Sequence, residues 1–259
     1  MCILFFNYEK RLSMERTLKS LYEKDCLTEI LESNMLLAYE SLCRNTAKDK
    51  EEQLNQDIYN IIIEKTNQIC MNTSVNICAH KLEEYDKSTY LHSVRVSILC
   101  MAIGKLMGFD KNKIMELGLA GLLHDIGKLF VPIDIITKPG RLDEIEKVLV
   151  FSHPASSAYY LRENYKNISD DIIWGVAEHH ERLDGSGYPR KLRGDEISLI
   201  GRIIAIADIF EAYSSERSYH KKRSVKETVE FIQKVSGLDQ EILGIFISHL
   251  NTRTGAVEF

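Results

Sequence analysis

The run Gly118-Leu119-Ala120-Gly121-Leu122-Leu123 is apolar or small at every position and leads straight into His124-Asp125-Ile126-Gly127-Lys128. A segment without a polar face reads as a helix buried on most sides. An imidazole and a carboxylate at its end are costly to bury unless each finds a partner, and a metal ion serves both. Asp208 repeats the argument within Ile203-Ile204-Ala205-Ile206-Ala207-Asp208-Ile209-Phe210, where an unpaired carboxylate would sit in hydrocarbon.

The flanking sequence is helical throughout. Leu91, Val94, Ile98, Leu99, Ala102 and Leu106 predict an amphipathic helix closing at Gly108. Pro132 and Lys138-Pro139-Gly140 break the chain after the His-Asp helix, and Asp143 with Glu146 reads as a capping box for a helix running to Ser152. His153 precedes Pro154, at a helix boundary where a ligand can be aimed. No alternation of period two persists, so the chain is expected to be all-α. Two apolar stripes at helical spacing, Leu27, Ile30, Leu31, Ala38 and Leu42, then Leu54, Ile58, Ile61, Ile62 and Ile69, define an N-terminal helical region over 1–70. It could cap the rest, form a homodimer seam or be the remnant of a sensory module. The chemistry is expected in a domain spanning 71–259.

Five of the eight histidines, His92, His124, His153, His179 and His180, lie between positions 92 and 180. A single histidine on an apolar face is usually a satisfied core residue. Five in one region, three of them adjacent to a carboxylate or to a second histidine, point to metal ligation, whereas His80, His220 and His249 fall outside the pattern. With Asp125 and Asp208 the set numbers seven, too many for one ion. Shared between two divalent ions with Asp125 bridging, it suits hydrolytic chemistry. Imidazole and carboxylate donors without cysteine suit iron, manganese, zinc or nickel, magnesium is not excluded, and the donors alone do not name the ion. The six cysteines form no C-x-x-C pair and are expected to be free, mostly buried thiols.

These residues carry a family resemblance. His124-Asp125, with His92 upstream and Asp208 downstream, resembles the HD superfamily of metal-dependent phosphohydrolases, an all-α helical bundle. His179-His180-Glu181-Arg182-Leu183-Asp184-Gly185-Ser186-Gly187-Tyr188-Pro189 is similar to the H-H-E-x-x-D-G-x-G-Y-P signature of the HD-GYP subgroup. The resemblance runs from about residue 70 to 250 and includes Ala205-Ile206-Ala207-Asp208-Ile209-Phe210-Glu211-Ala212, similar to A-I-A-D-x-x-D-A. It implies a phosphodiesterase that opens cyclic di-GMP to pGpG, in some members continuing to GMP. His92, His124, Asp125 and Asp208 would hold one ion, and His153, His179 and His180 the other, with Asp125 as the catalytic bridge.

Lys128, one turn past Asp125, is placed to meet a phosphate oxygen and is expected to be catalytic. Gly187, Tyr188 and Pro189, on a tight turn beside the site, are expected substrate contacts, and in the family this loop has been linked to diguanylate cyclase domains. Asp184 is expected to brace the loop. Ser214-Ser215-Glu216-Arg217-Ser218-Tyr219-His220-Lys221 resembles the family's T-S-D-R-P-Y-R-x segment, which makes Arg217 and Lys221 candidate phosphate contacts. Some members hold a third metal with a glutamate four residues before the first ligand histidine. Ser88 stands there in this chain, so two metals are expected, with Ser88 facing the site.

Net charge of -5 argues against a grip on duplex nucleic acid. The apolar opening Met1 to Phe6 ends at Asn7, far short of the ~20 residues of a membrane span. A cytoplasmic enzyme is expected. Two other readings keep the motifs: a hydrolase for cyclic GMP-AMP or another cyclic dinucleotide, and a catalytically weak adaptor docking partners through the Gly-Tyr-Pro loop.

Overall fold

The computed structural model describes residues 57–58, 60–62, 64–65, 68–69, 72–215 and 223–254. The first apolar stripe of the N-terminal region and the substrate candidates Arg217 and Lys221 lie outside the described residues.

Among the described residues the fold is helical, without strands. Helix α1 (Thr73–Tyr85) and helix α2 (Lys87–Leu106) meet at Asp86, whose carboxylate accepts from the Ser88 and Thr89 amides and so N-caps α2. Helix α3 (Lys111–Leu123) ends at His124, and a 3-10 turn (Ile126–Phe130) follows Asp125. The short α4 (Ile133–Ile136) precedes α5 (Glu144–Phe151), which carries the expected Asp143–Glu146 capping box and ends at Ser152. Then come α6 (His153–Asn164), α7 (Asp170–Glu178), a 3-10 turn (Gly194–Glu196), α8 (Leu199–Ser214), α9 (Val225–Ile232) and α10 (Gln240–Thr254).

Helix α2 is the axis of the fold, packed by α1, α3, α8 and α10. The amphipathic stripe expected for it is only half right. Val94, Ile98 and Leu99 are buried, but so are Val96, Cys100, Met101 and Ile103, while Leu91, Ala102 and Leu106 are only partly buried. A helix surrounded by four others has no solvent face to leave a clean polar stripe. Small residues bring its neighbours close. A Cβ on Gly121 of α3 would stand 2.8 Å from the Ser97 Cα of α2, so glycine lets the two backbones touch.

Ile58, Ile61, Ile62 and Ile69, four of the five residues in the second N-terminal stripe, are buried in the same core. The packed unit therefore includes residues ahead of position 71, and this stripe acts as part of its core. Cys78 and Cys100 are free and buried. No helix among the described residues is long and apolar enough to cross a membrane.

Candidate metal centre

Helix ends do much of the aiming. His124 caps the C-terminus of α3, His179 caps that of α7, and His153 opens α6 immediately after α5. The last carbonyls of a helix lack intrahelical partners. His124 Nδ1 donates to Gly121 O at 2.8 Å, His153 Nδ1 to Val150 O at 2.6 Å, and His179 Nδ1 to Val176 O at 2.6 Å. A carbonyl can only accept, so each Nδ1 carries a hydrogen and each ring turns its Nε2 to the site, where the neutral form offers a lone pair. His92 and Asp208 come instead from within α2 and α8, where the two side chains meet.

The seven expected ligands converge. His92, His124 and Asp125 form one group and His153, His179 and His180 a second, the ligand atoms of each lying within 4.8 Å of one another. His124, Asp125, His153 and His179 are at most 1% exposed. Asp125 stands between the groups: Oδ2 is 3.4 Å from His124 Nε2 and 3.8 Å from His92 Nε2, whereas Oδ1 is 3.1 Å from His153 Nε2. Asp208 also touches both, with Oδ1 3.0 Å from His92 Nε2 and Oδ2 3.9 Å from His180 Nδ1.

The donor set fits metal cations on three observations. His124 Nε2 and Asp125 Oδ1 are buried without a hydrogen-bond partner, the 3.1 Å approach of His153 to Asp125 being close but not aligned as one. His153 Nε2 and His179 Nε2 are 3.2 Å apart, and with both Nδ1 atoms committed to carbonyls the two Nε2 atoms are the ones turned to each other. A cation relieves both. Third, the protonation states of five of the seven, Asp125, Asp208, His124, His179 and His180, suit ligation. Burial would raise the Asp125 carboxyl, but His124 in its protonated form and Lys128 hold it well below the usual carboxylate range. Burial would likewise raise Asp208, and its hydrogen bond to His92 overrides it. Burial pushes His124 and His179 down and takes His180 to about 3, so these rings are neutral at pH 7. His92 goes the other way: burial lowers it, but Glu211 and Asp208 outweigh burial and lift it to about 9.

Lys128 Nζ is 2.5 Å from Asp125 Oδ2 and its side chain is 21% exposed, so it reaches the centre from the solvent side. Gly127, between the two, could be nothing larger: a Cβ there would lie 2.2 Å from His153 O. Ser157 clips this turn to α6 by accepting from Gly127 N at 2.8 Å and donating to His124 O at 2.7 Å.

The Gly-Tyr-Pro loop borders the second group. Gly187 is packed so closely that a Cβ would stand 2.5 Å from His180 O. The Tyr188 ring stacks on His180 at 4.6 Å, and Pro189 is exposed. Asp184 accepts from the Ser186 amide and hydroxyl at 2.9 and 2.6 Å, which fixes the turn. Buried Glu181 accepts from the Arg190 and Leu192 amides and ties down the far side of the loop. Ser88 is exposed, and its amide donates to Asp86 Oδ1 at 3.3 Å.

Two functional residues were not singled out from the sequence. Glu211, 2% exposed, lies against His92 Nδ1 and accepts from Arg95 at 3.0 Å and from Ser215 at 2.6 Å. It fixes the His92 ring and its tautomer from behind. The signal was present, because Glu211 follows Asp208 by one helical turn in the same apolar run. Ser157, buried within Pro154-Ala155-Ser156-Ser157, carried no comparable signal.

The HD-domain family matches residues 62–242. The chain is 37% identical over 168 residues to a cyclic di-GMP phosphodiesterase of Pseudomonas aeruginosa, covering 64% of this chain and 40% of that protein. It is 41% identical over 151 residues to 3'3'-cGAMP-specific phosphodiesterase 3 of Vibrio cholerae, covering 57% and 32%. Its fold is similar to that of an HDG"Y"P protein from Bdellovibrio bacteriovorus, with a TM-score of 0.56 at 20% identity over 93% of this chain and 79% of that one. The chain spans less than half the length of these two curated relatives.

Proposed function

The chain belongs to the HD-domain family, and from that premise we propose that it is a metal-dependent phosphodiesterase opening cyclic di-GMP to the linear dinucleotide pGpG. The observation that carries the proposal is the placement of Asp125, one carboxylate oxygen turned to each histidine group. We take the ions to be iron or manganese, both of which imidazole and carboxylate donors accept.

A phosphodiester is an anion, so its hydrolysis needs a nucleophile delivered against charge and neutralisation of the phosphoryl oxygens. Two divalent ions, when bound, would lower the pKa of a water and offset phosphoryl charge. The chain's own residues do the rest. Asp125 and Asp208 stay ionised and would offset part of the charge of two cations, while His124, His179 and His180 stay neutral and keep their lone pairs free. Lys128 brings a positive charge to the open side of Asp125, where a non-bridging phosphate oxygen would lie. Arg217 and Lys221 remain candidates for the substrate's other phosphate, and Gly187, Tyr188 and Pro189 for its flank.

A second substrate, 3'3'-cGAMP, is favoured by the Vibrio cholerae relatives, whose names specify it at identities close to those of the cyclic di-GMP enzymes. Anaerobically metallated protein incubated with each cyclic dinucleotide, its products resolved by chromatography, decides between them. Hydrolysis abolished in Asp125→Ala with an unchanged circular dichroism spectrum is the expected result. Turnover persisting in that variant would overturn the two-cluster reading.

A further inference from the structure

Phe151 is the last residue of α5, two positions before the ligand candidate His153, and its ring is 43% exposed. A partly exposed aromatic ring offers a flat, rigid apolar surface on which a ligand can pack. Its ring lies on Tyr188 at 4.2 Å and 15° between planes, and Tyr188 lies in turn on His180 at 4.6 Å and 30°. Three near-parallel rings thus lead from the second histidine group to solvent. Tyr188 covers one face of Phe151, which ends this row and is the exposed member of it.

A substrate whose phosphodiester sits between the histidine groups carries a purine on the adjoining ribose. An uncharged, flat apolar ring two stacking steps from the centre matches the π face of such a base. We infer that Phe151 is a stacking platform for one purine of the substrate. The inference rests on reading the site as a cyclic dinucleotide phosphodiesterase. Because every purine offers a π face, Phe151 supplies affinity without choosing between guanine and adenine.

Two comparisons on the manganese-loaded full chain test this, each made in the unsubstituted protein, Phe151→Ala and Phe151→Trp. In steady-state hydrolysis of cyclic di-GMP, Phe151→Ala should raise KM about 5- to 150-fold, equivalent to about 1–3 kcal/mol, with kcat within about 3-fold and metal content unchanged. Phe151→Trp should restore KM. In calorimetric binding, GMP should bind the unsubstituted chain more tightly than ribose 5-phosphate does, and Phe151→Ala should abolish that difference. An unchanged preference for GMP would overturn the inference and assign the ring to the exposed apolar face of Ile145 and Val148. Loss of metal or of kcat alone would also overturn it, by making Phe151 a brace for Tyr188. If the unsubstituted chain turns over no cyclic dinucleotide, the activity reading fails, and the GMP comparison still decides the role of Phe151.

Discussion

Glu211 lies against Nδ1 of His92 while Nε2 of the same ring points at Asp208 Oδ1, 3.0 Å away. The imidazole is held between a buried carboxylate behind it and the site in front. Loss of such a partner typically weakens metal affinity about 10- to 100-fold. Glu211→Gln should show that loss in a chelator competition assay, with helical content retained. An unchanged affinity would reduce Glu211 to a partner of Arg95.

Ser157 joins the 3-10 turn after Asp125 to α6 through two buried hydrogen bonds. Ser157→Ala leaves the Gly127 amide and the His124 carbonyl unpaired, and each unpaired buried group costs about 1–3 kcal/mol. Urea denaturation should therefore show destabilisation of at least about 1 kcal/mol. Gly127→Ala, whose Cβ would meet His153 O, should be worse than Ser157→Ala in stability and should also lower metal content.

Lys128 Nζ stands beside Asp125 Oδ2 with part of its side chain in solvent. Removing one preorganised group that stabilises developing charge costs about 10²- to 10³-fold in kcat. Lys128→Ala should lose activity on that scale while retaining its metal. A drop in metal content matching the drop in rate would instead make Lys128 a charge partner of Asp125.

Elemental analysis of the loaded protein should return two equivalents of metal, because Ser88 replaces a carboxylate and is exposed. Three equivalents would show that another residue supplies the missing ligand. Metal removal should also lower the unfolding midpoint. An ion present at 100 times its dissociation constant and bound only by the folded chain stabilises it by about 2.7 kcal/mol. Identical melting with and without chelator would contradict binding at the two groups.

His124, Asp125 and Asp208 were legible from the chain because each interrupts an apolar run long enough to be a buried helix, where an ionisable group needs a partner. His153 was legible from Pro154, and the α5 cap from Asp143 and Glu146. The circumference of α2 was not. A stripe of period 3.6 finds one buried face, whereas α2 is buried by α1, α3, α8 and α10, and that crowding is set by residues far away in the chain. Glu211 and Phe151 escaped for the same reason. Their meanings come from His92, 119 positions away from Glu211, and from Tyr188, brought over Phe151 by the return of the loop.

What the sequence by itself determined is the inventory: an all-helical chain, seven side chains of metal-ligand type, and a lysine one turn past the central aspartate. Local rules suffice for these, because helical periodicity, capping and the cost of burying charge act within a few turns. Only the tertiary structure decided that one oxygen of Asp125 faces each histidine group, that Asp208 touches both, and which nitrogen of each ring looks inward. Those relations depend on helix ends meeting across long separations, and a hydrogen-bond direction or a 3 Å contact exists only once the packed helices have placed both partners.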